Sequence, residues 1–110
     1  MAWVAKHRYA RISARKVRLV ADLIRGLACD RAIELLRFTH QRAARMVDRV
    51  LKSAMASANE QEAAMSRLYV SEARVDPGPI IKRFRAKDRG RAHSIHKRTS
   101  HIVIAVDERD

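Results

Sequence analysis

The sequence predicts a small mixed domain of helices and strands that carries a long basic hairpin near its C-terminus. Three observations lead there. Apolar residues recur at spacings of three and four between Ser13 and Ala58, the spacing of a helix face. Strand-type patterning marks Trp3 to Ile12, Arg67 to Val75 and His101 to Val106. Positive charge gathers in two places rather than coating the chain. At 110 residues the chain is expected to form one domain spanning 1–110, burying roughly 60 to 70% of the surface its unfolded form exposes.

In order along the chain, Trp3, Ala5, His7 and Tyr9 fall on one side of a period-two segment, with Val4, Lys6, Arg8 and Ala10 on the other. That is a strand with a basic outer face. Ser13 then offers a side-chain oxygen as N-cap to a first helix. Val17, Val20, Ala21 and Ile24 make its inner face, with Leu19, Leu23 and Leu27 beside it, and Gly26 stops it. Asp30 is expected to cap a short second helix whose apolar side is Ala32, Ile33, Leu35 and Leu36, ending near Phe38 or Thr39. A third, longer helix starts from Thr39 and turns Ala43, Val47, Val50, Leu51, Ala54 and Ala58 inward. Arg42, Arg45, Arg49 and Lys52 share its outer stripe, either a solvated exterior or a rail for phosphates. Glu60 and Glu62 fall where that helix ends. The strand RLYVSEARV follows, and the prolines of Asp76-Pro77-Gly78-Pro79 withhold two backbone donors, so the pattern predicts that an ordinary central strand does not run unbroken through them.

Between Ile80 and His101 lie eight Lys and Arg against the single carboxylate of Asp88. Lys87, Asp88, Arg89 and Gly90 sit midway and read as the tip of a hairpin of residues 78–100, each arm about ten residues long. Residues 82–98 offer only Phe84, Ala86, Ala92 and Ile95 as apolar side chains. A two-stranded ribbon so poor in apolar surface is marginal in water, so its order is expected to come from a polyanion.

The chain's formal charge is +12, and arginine is favoured over lysine throughout. Guanidinium forks suit bidentate phosphate contact, which turns the expectation toward nucleic acid. Residues 1–20 hold six cations and no carboxylate; outside them and the hairpin the charge nearly cancels. Catalytic, metal and cofactor sites are not expected. His93 and His96 lack Cys or carboxylate partners at ligand spacing, and three glycines cannot make a nucleotide loop. Ser100 and His101, as strand neighbours, point to opposite faces. Cys29 reads as a small apolar residue, and with no apolar run long enough for a membrane span the chain reads as cytoplasmic.

Three segments, HRYARISARKVRLVADLIRG at 7–26, LYVSEARVDPGP at 68–79 and GRAHSIHKRTSHIVIAV at 90–106, together resemble the bacterial-type ribosomal protein family numbered twenty-two in the large-subunit series. The resemblance spans essentially the whole chain. It implies an α+β fold, three helices packed on a small three-stranded antiparallel sheet with a long protruding β-hairpin. It also implies a structural role: binding large-subunit (23S) ribosomal RNA across several RNA domains, supporting assembly, and lining the polypeptide exit tunnel with the hairpin. Carried onto this sequence, the RNA-binding residues are Lys6, Arg8, Arg11, Arg15, Lys16 and Arg18 in the body and Lys82, Arg83, Arg85, Lys87, Arg89, Arg91, Lys97 and Arg98 in the hairpin. Lys87, Asp88, Arg89, Gly90 and Arg91 form the tunnel tip. The implied partners are the RNA, neighbouring large-subunit proteins and the nascent polypeptide, with the chain a monomer within the ribosome and no membrane involved. Two departures stand out: Ala14 follows Ser13 where the family commonly has proline, and the tip RAKDRGRA introduces the acidic Asp88. The residues by themselves leave two rivals open, a DNA-binding β-ribbon arm and a module for an acidic protein partner.

Overall fold

A computed structural model describes residues 2–87 and 91–109, and for 84–87 and 91–95 it describes the backbone alone. The elements run β1 (Trp3–Ala10), α1 (Ala14–Ile24), α2 (Cys29–Phe38), α3 (Arg42–Glu60), a 3-10 turn at Met65–Arg67, β2 (Leu68–Lys87) and β3 (Arg91–Glu108). The strands form one antiparallel sheet in the order β1-β3-β2, with the three helices against one face. The architecture implied by the resemblance is the one observed.

The core forms where α1 and α3 set Val17, Val20, Ile24, Val47, Leu51 and Ala54 against Ile102, Ile104 and Val106 of the central strand. These helix residues recur at three and four, and the strand residues at two, so each element turns one apolar side inward. On the opposite sheet face Val103 and Ala105 are also buried. Their cross-strand neighbours there are Lys6 and Arg74, and Val4 and Glu72. Long side chains whose stems lie along apolar surface keep water off that face without a second helix layer.

Several local expectations need correction. The alternation of β1 holds only to His7: Tyr9 adopts φ 57° in a register shift, and Ala10, not Tyr9, is buried. The strand therefore ends at Ala10 rather than reaching Ile12. Asp30 does not cap α2; Ala28 holds that position, and Asp30 lies in the first turn, where its charge suits the helix dipole. Thr39 closes α2 instead of opening α3, its Oγ1 donating to the Leu35 carbonyl at 2.7 Å, and α3 begins after Gln41. At the prolines the expectation holds, since β2 is not a central strand and its pairing is interrupted between Pro77 and Ile80. Because β2 is an edge strand, a missing N–H is tolerated, and a register shift between Pro77 and Ile80 absorbs the irregularity.

Other expectations hold. Ser13 caps α1, accepting from the Lys16 N–H. Gly26 stops it at φ +84°, a conformation that costs a side-chain-bearing residue energy, and its N–H reaches the Val70 carbonyl at 2.9 Å. The edge of β2 is thereby partly sealed. Further along, Arg25 donates to the Ala73 carbonyl at 2.6 Å, and Arg18 donates through Nε and Nη2 to the Val75 carbonyl at 3.1 and 2.9 Å. Two arginines seven apart, one on α1 and one at its C-cap, thus cover carbonyls two apart on an edge that would otherwise invite another strand.

β1 makes its last pair at Ala10↔Ser100, and beyond it only β2 and β3 remain paired, from Ile80↔Arg98 to Lys87↔Arg91. This ribbon draws the molecule out to 64 × 24 × 17 Å with a radius of gyration of 17.0 Å, against about 13 Å for a compact chain of similar length.

Candidate nucleic-acid interface

The cations divide by what they touch. Arg25 pairs with Asp22, Lys52 with Asp48, Arg67 with Glu108, and Arg74 with both Glu72 and Asp76, at 2.9 to 3.2 Å. Arg109 donates to the Gly26 carbonyl and lies over the Tyr69 ring. Arg18, one of the residues singled out from the sequence for RNA, is held by the Val75 carbonyl. Lys6, Arg8, Arg11, Arg15, Lys16, Lys97 and Arg98 make no side-chain ion pair or hydrogen bond among the described residues. Replacing Arg18 with Met is expected to cost about 1.5 kcal/mol in urea unfolding and to leave the salt dependence of RNA binding unchanged. An unaltered stability with a shallower salt slope would put Arg18 on the RNA instead.

Uncommitted cations meet where the hairpin leaves the body. A cleft of about 860 Å³ opens there, lined by Arg11, Lys16, Arg42, His96, Lys97 and Arg98 together with Ile12, Leu19 and Ile81. Among the described residues no carboxylate lines it. The cations come from four places, the β1–α1 turn, α1, the first turn of α3 and β3, so the fold and not sequence adjacency gathers them. Like charges brought together this way repel, and a polyanion relieves that repulsion. A second cleft of about 380 Å³ lies beside it, where Arg98 is joined by Arg15 and Arg18. Arg98 thus borders both.

The sequence-derived candidates are not one cluster. Arg11, Lys16, Lys97 and Arg98 come together in the larger cleft, and Arg15 joins the smaller one. Lys6 lies on the open sheet face, and Arg8, within the register shift of β1, is exposed. Lys82 and Arg83 are exposed on the ribbon. The side chains of Arg85, Lys87 and Arg91, and the tip residues Asp88, Arg89 and Gly90, lie outside the described residues. Of the α3 stripe, Arg42 alone reaches the cleft. Nothing in its helical spacing distinguished it; its place at the first turn, beside the hairpin root, did. The apolar lining carries no sequence signal either: spacing sets Leu19 beside a core face, yet it is 61% exposed.

No catalytic constellation emerges among the described residues, and none of their His, Cys, Asp and Glu side chains group in a way that could hold a metal. Ser100 is fully buried and His101 partly exposed, on opposite faces; His101 Nδ1 accepts the Tyr9 N–H at 3.1 Å. Cys29 is 1% exposed, and burial, with the Asp30 carboxylate adding to it, pushes its thiol up to about 11. A raised thiol pKa favours the folded state while the thiol stays neutral, and that contribution fades as pH climbs from about 9 toward 11. The native protein at pH 8 should accordingly leave Cys29 unreactive to a thiol reagent until denaturant is added; rapid labelling without denaturant would contradict this burial.

What fold and cleft define is an α+β scaffold whose uncommitted cations face outward around the root of a long hairpin. Residues 5–107 match the family model described as Ribosomal protein L22p/L17e. The chain belongs to that family, a structural, non-enzymatic component of the large ribosomal subunit, whose partners are ribosomal RNA and ribosomal proteins. No helix among the described residues is long and apolar enough to cross a membrane.

Proposed function

We propose that this chain, acting as one unit over 1–110, binds the 23S RNA of the large subunit through the cleft at the hairpin root, and that its hairpin lines the polypeptide exit tunnel. The observation that carries the reading is the gathering of Arg11, Lys16, Arg42, Lys97 and Arg98 in one cleft, none of them held by a carboxylate or carbonyl among the described residues, whereas Arg18, Arg25, Arg67 and Arg74 are so held. Phosphates from separate RNA segments, which repel one another, are bridged by Arg11, Lys16, Lys97 and Arg98 at the root and by Lys82, Arg83, Arg85, Lys87, Arg89 and Arg91 along the arm. Lys6 on the open sheet face, the exposed Arg8 and Arg15 in the smaller cleft offer further contacts to neighbouring RNA. The arm has little core of its own, so phosphate contacts complete its order. Its tip, Lys87 to Arg91, meets the nascent polypeptide, and the particle assembles in the cytoplasm.

Cosedimentation tests this. The full chain should migrate with large subunits in a sucrose gradient at moderate salt and fall away after ribonuclease treatment. A variant with residues 84–92 replaced by a Gly-Ser turn should associate more weakly and lose cross-links to nascent chains. Retention after ribonuclease would favour an acidic protein partner, and unchanged nascent-chain cross-linking in the shortened variant would remove the tunnel role.

A further inference from the structure

We infer that the cleft at the hairpin root is a nucleotide subsite, which takes one unpaired RNA base against Ile12, Leu19 and Ile81 while the surrounding cations hold its flanking phosphates. This rests on the RNA-binding reading above and adds the kind of RNA that fits. A purely electrostatic phosphate rail needs no apolar lining. Here three aliphatic side chains from three elements, the β1–α1 turn, α1 and β2, converge in the same space as the cations. Leu19 is 61% exposed, whereas Leu36, Leu51 and Leu68 are at most 4% exposed. One exposed leucine means little; one among converging apolar side chains in a cationic cleft is an unfilled contact surface.

The chemistry selects a ligand with a flat apolar part and anionic groups on either side, which is a nucleotide within a strand. A volume near 860 Å³ is in the range of sites that enclose small molecules. Gln41, the N-cap of α3, makes no side-chain capping hydrogen bond and lines the cleft, so its amide has donor and acceptor available for a base edge. An A-form duplex presents phosphates outward and keeps its bases stacked inside, so it reaches the cations and not Leu19. A single-stranded or extruded nucleotide reaches both.

The test measures binding of the full-length protein to three labelled probes: a short oligouridylate, an abasic ribose-phosphate strand of equal length, and an RNA duplex of that length. Wild type should prefer oligouridylate to the abasic strand. Leu19→Gln keeps a good helix former at an exposed site; it should lower oligouridylate affinity by about tenfold and leave the other two unchanged. Leu19→Met, which restores apolar area, should recover most of the loss. Leu19→Gln binding oligouridylate as wild type does, or losing affinity equally for all three probes, would overturn the subsite. So would polyglutamate binding that matches oligouridylate and is weakened by the same substitution. Purified large-subunit RNA separates the two levels: wild type ignoring it sinks the RNA-binding reading, whereas wild type binding it while Leu19→Gln has no effect on oligouridylate sinks the subsite alone.

Discussion

Replacing Lys16, Arg42 and Arg98 together with glutamine is expected to flatten the salt dependence of RNA binding by a slope of about 2 to 3, since each neutralised phosphate contributes about 0.7 for a single strand and 0.9 for a duplex. The three are exposed, come from α1, α3 and β3, and line one cleft. None is held by a carboxylate among the described residues, so their loss removes charge without leaving a partner stranded. The instructive control is Arg67→Gln with Arg74→Gln, which removes cations already paired to Glu108, Glu72 and Asp76. That double variant should leave the slope nearly unchanged. Equal slopes for the triple and double variants, read from titrations across a salt series, would mean that binding follows total charge and that the cleft has no special part.

Gly78→Ala is expected to destabilise the protein by about 1 to 3 kcal/mol, the usual cost of forcing atoms into a packed site. A Cβ there would stand 2.6 Å from Thr99 Oγ1 and 3.2 Å from His101 Nε2. Neither neighbour yields freely. Thr99 is buried and β-branched, and its hydroxyl donates to the Pro79 carbonyl at 2.6 Å; His101 is fixed by the Tyr9 N–H and by an edge-on contact with the Tyr9 ring. Melting should register a drop of about 4 to 8 °C for each kcal/mol. Because this is where the ribbon leaves the sheet, RNA affinity should fall as well, although no charge has changed. Adding Thr99→Ala removes the clashing oxygen, so the double variant should be less destabilised than the sum of the two singles. A wild-type melting temperature for Gly78→Ala would show that the hairpin root has slack that the contacts at Gly78 deny.

How legible the molecule was in its sequence follows from the range of each interaction. Helix faces were readable because Val17, Val20 and Ile24, or Val47, Leu51 and Ala54, repeat at the period of the backbone that carries them. The Ser13 cap and the Gly26 stop were readable because both act within one turn. The β1 bulge at Tyr9 was not, since it answers to the pairing of Ala10 with Ser100, ninety residues away. Nor was the edge position that lets β2 resume pairing beyond its prolines, because only the sheet order sets it.

The same boundary runs through the interface. Sequence alone determined that the protein is a small α+β scaffold with two concentrations of arginine and lysine, and family membership over residues 5–107 agrees. Periodicity and net charge are properties of the chain itself, so they survive without coordinates. Tertiary structure alone decided which cations are available: it set Arg18 against the Val75 carbonyl, brought Arg42 from α3 to Lys97 and Arg98 on β3, and left Leu19 facing the cleft. Whether a guanidinium is held or free depends on the carbonyl or carboxylate that packing brings to it, and no spacing along the chain encodes that.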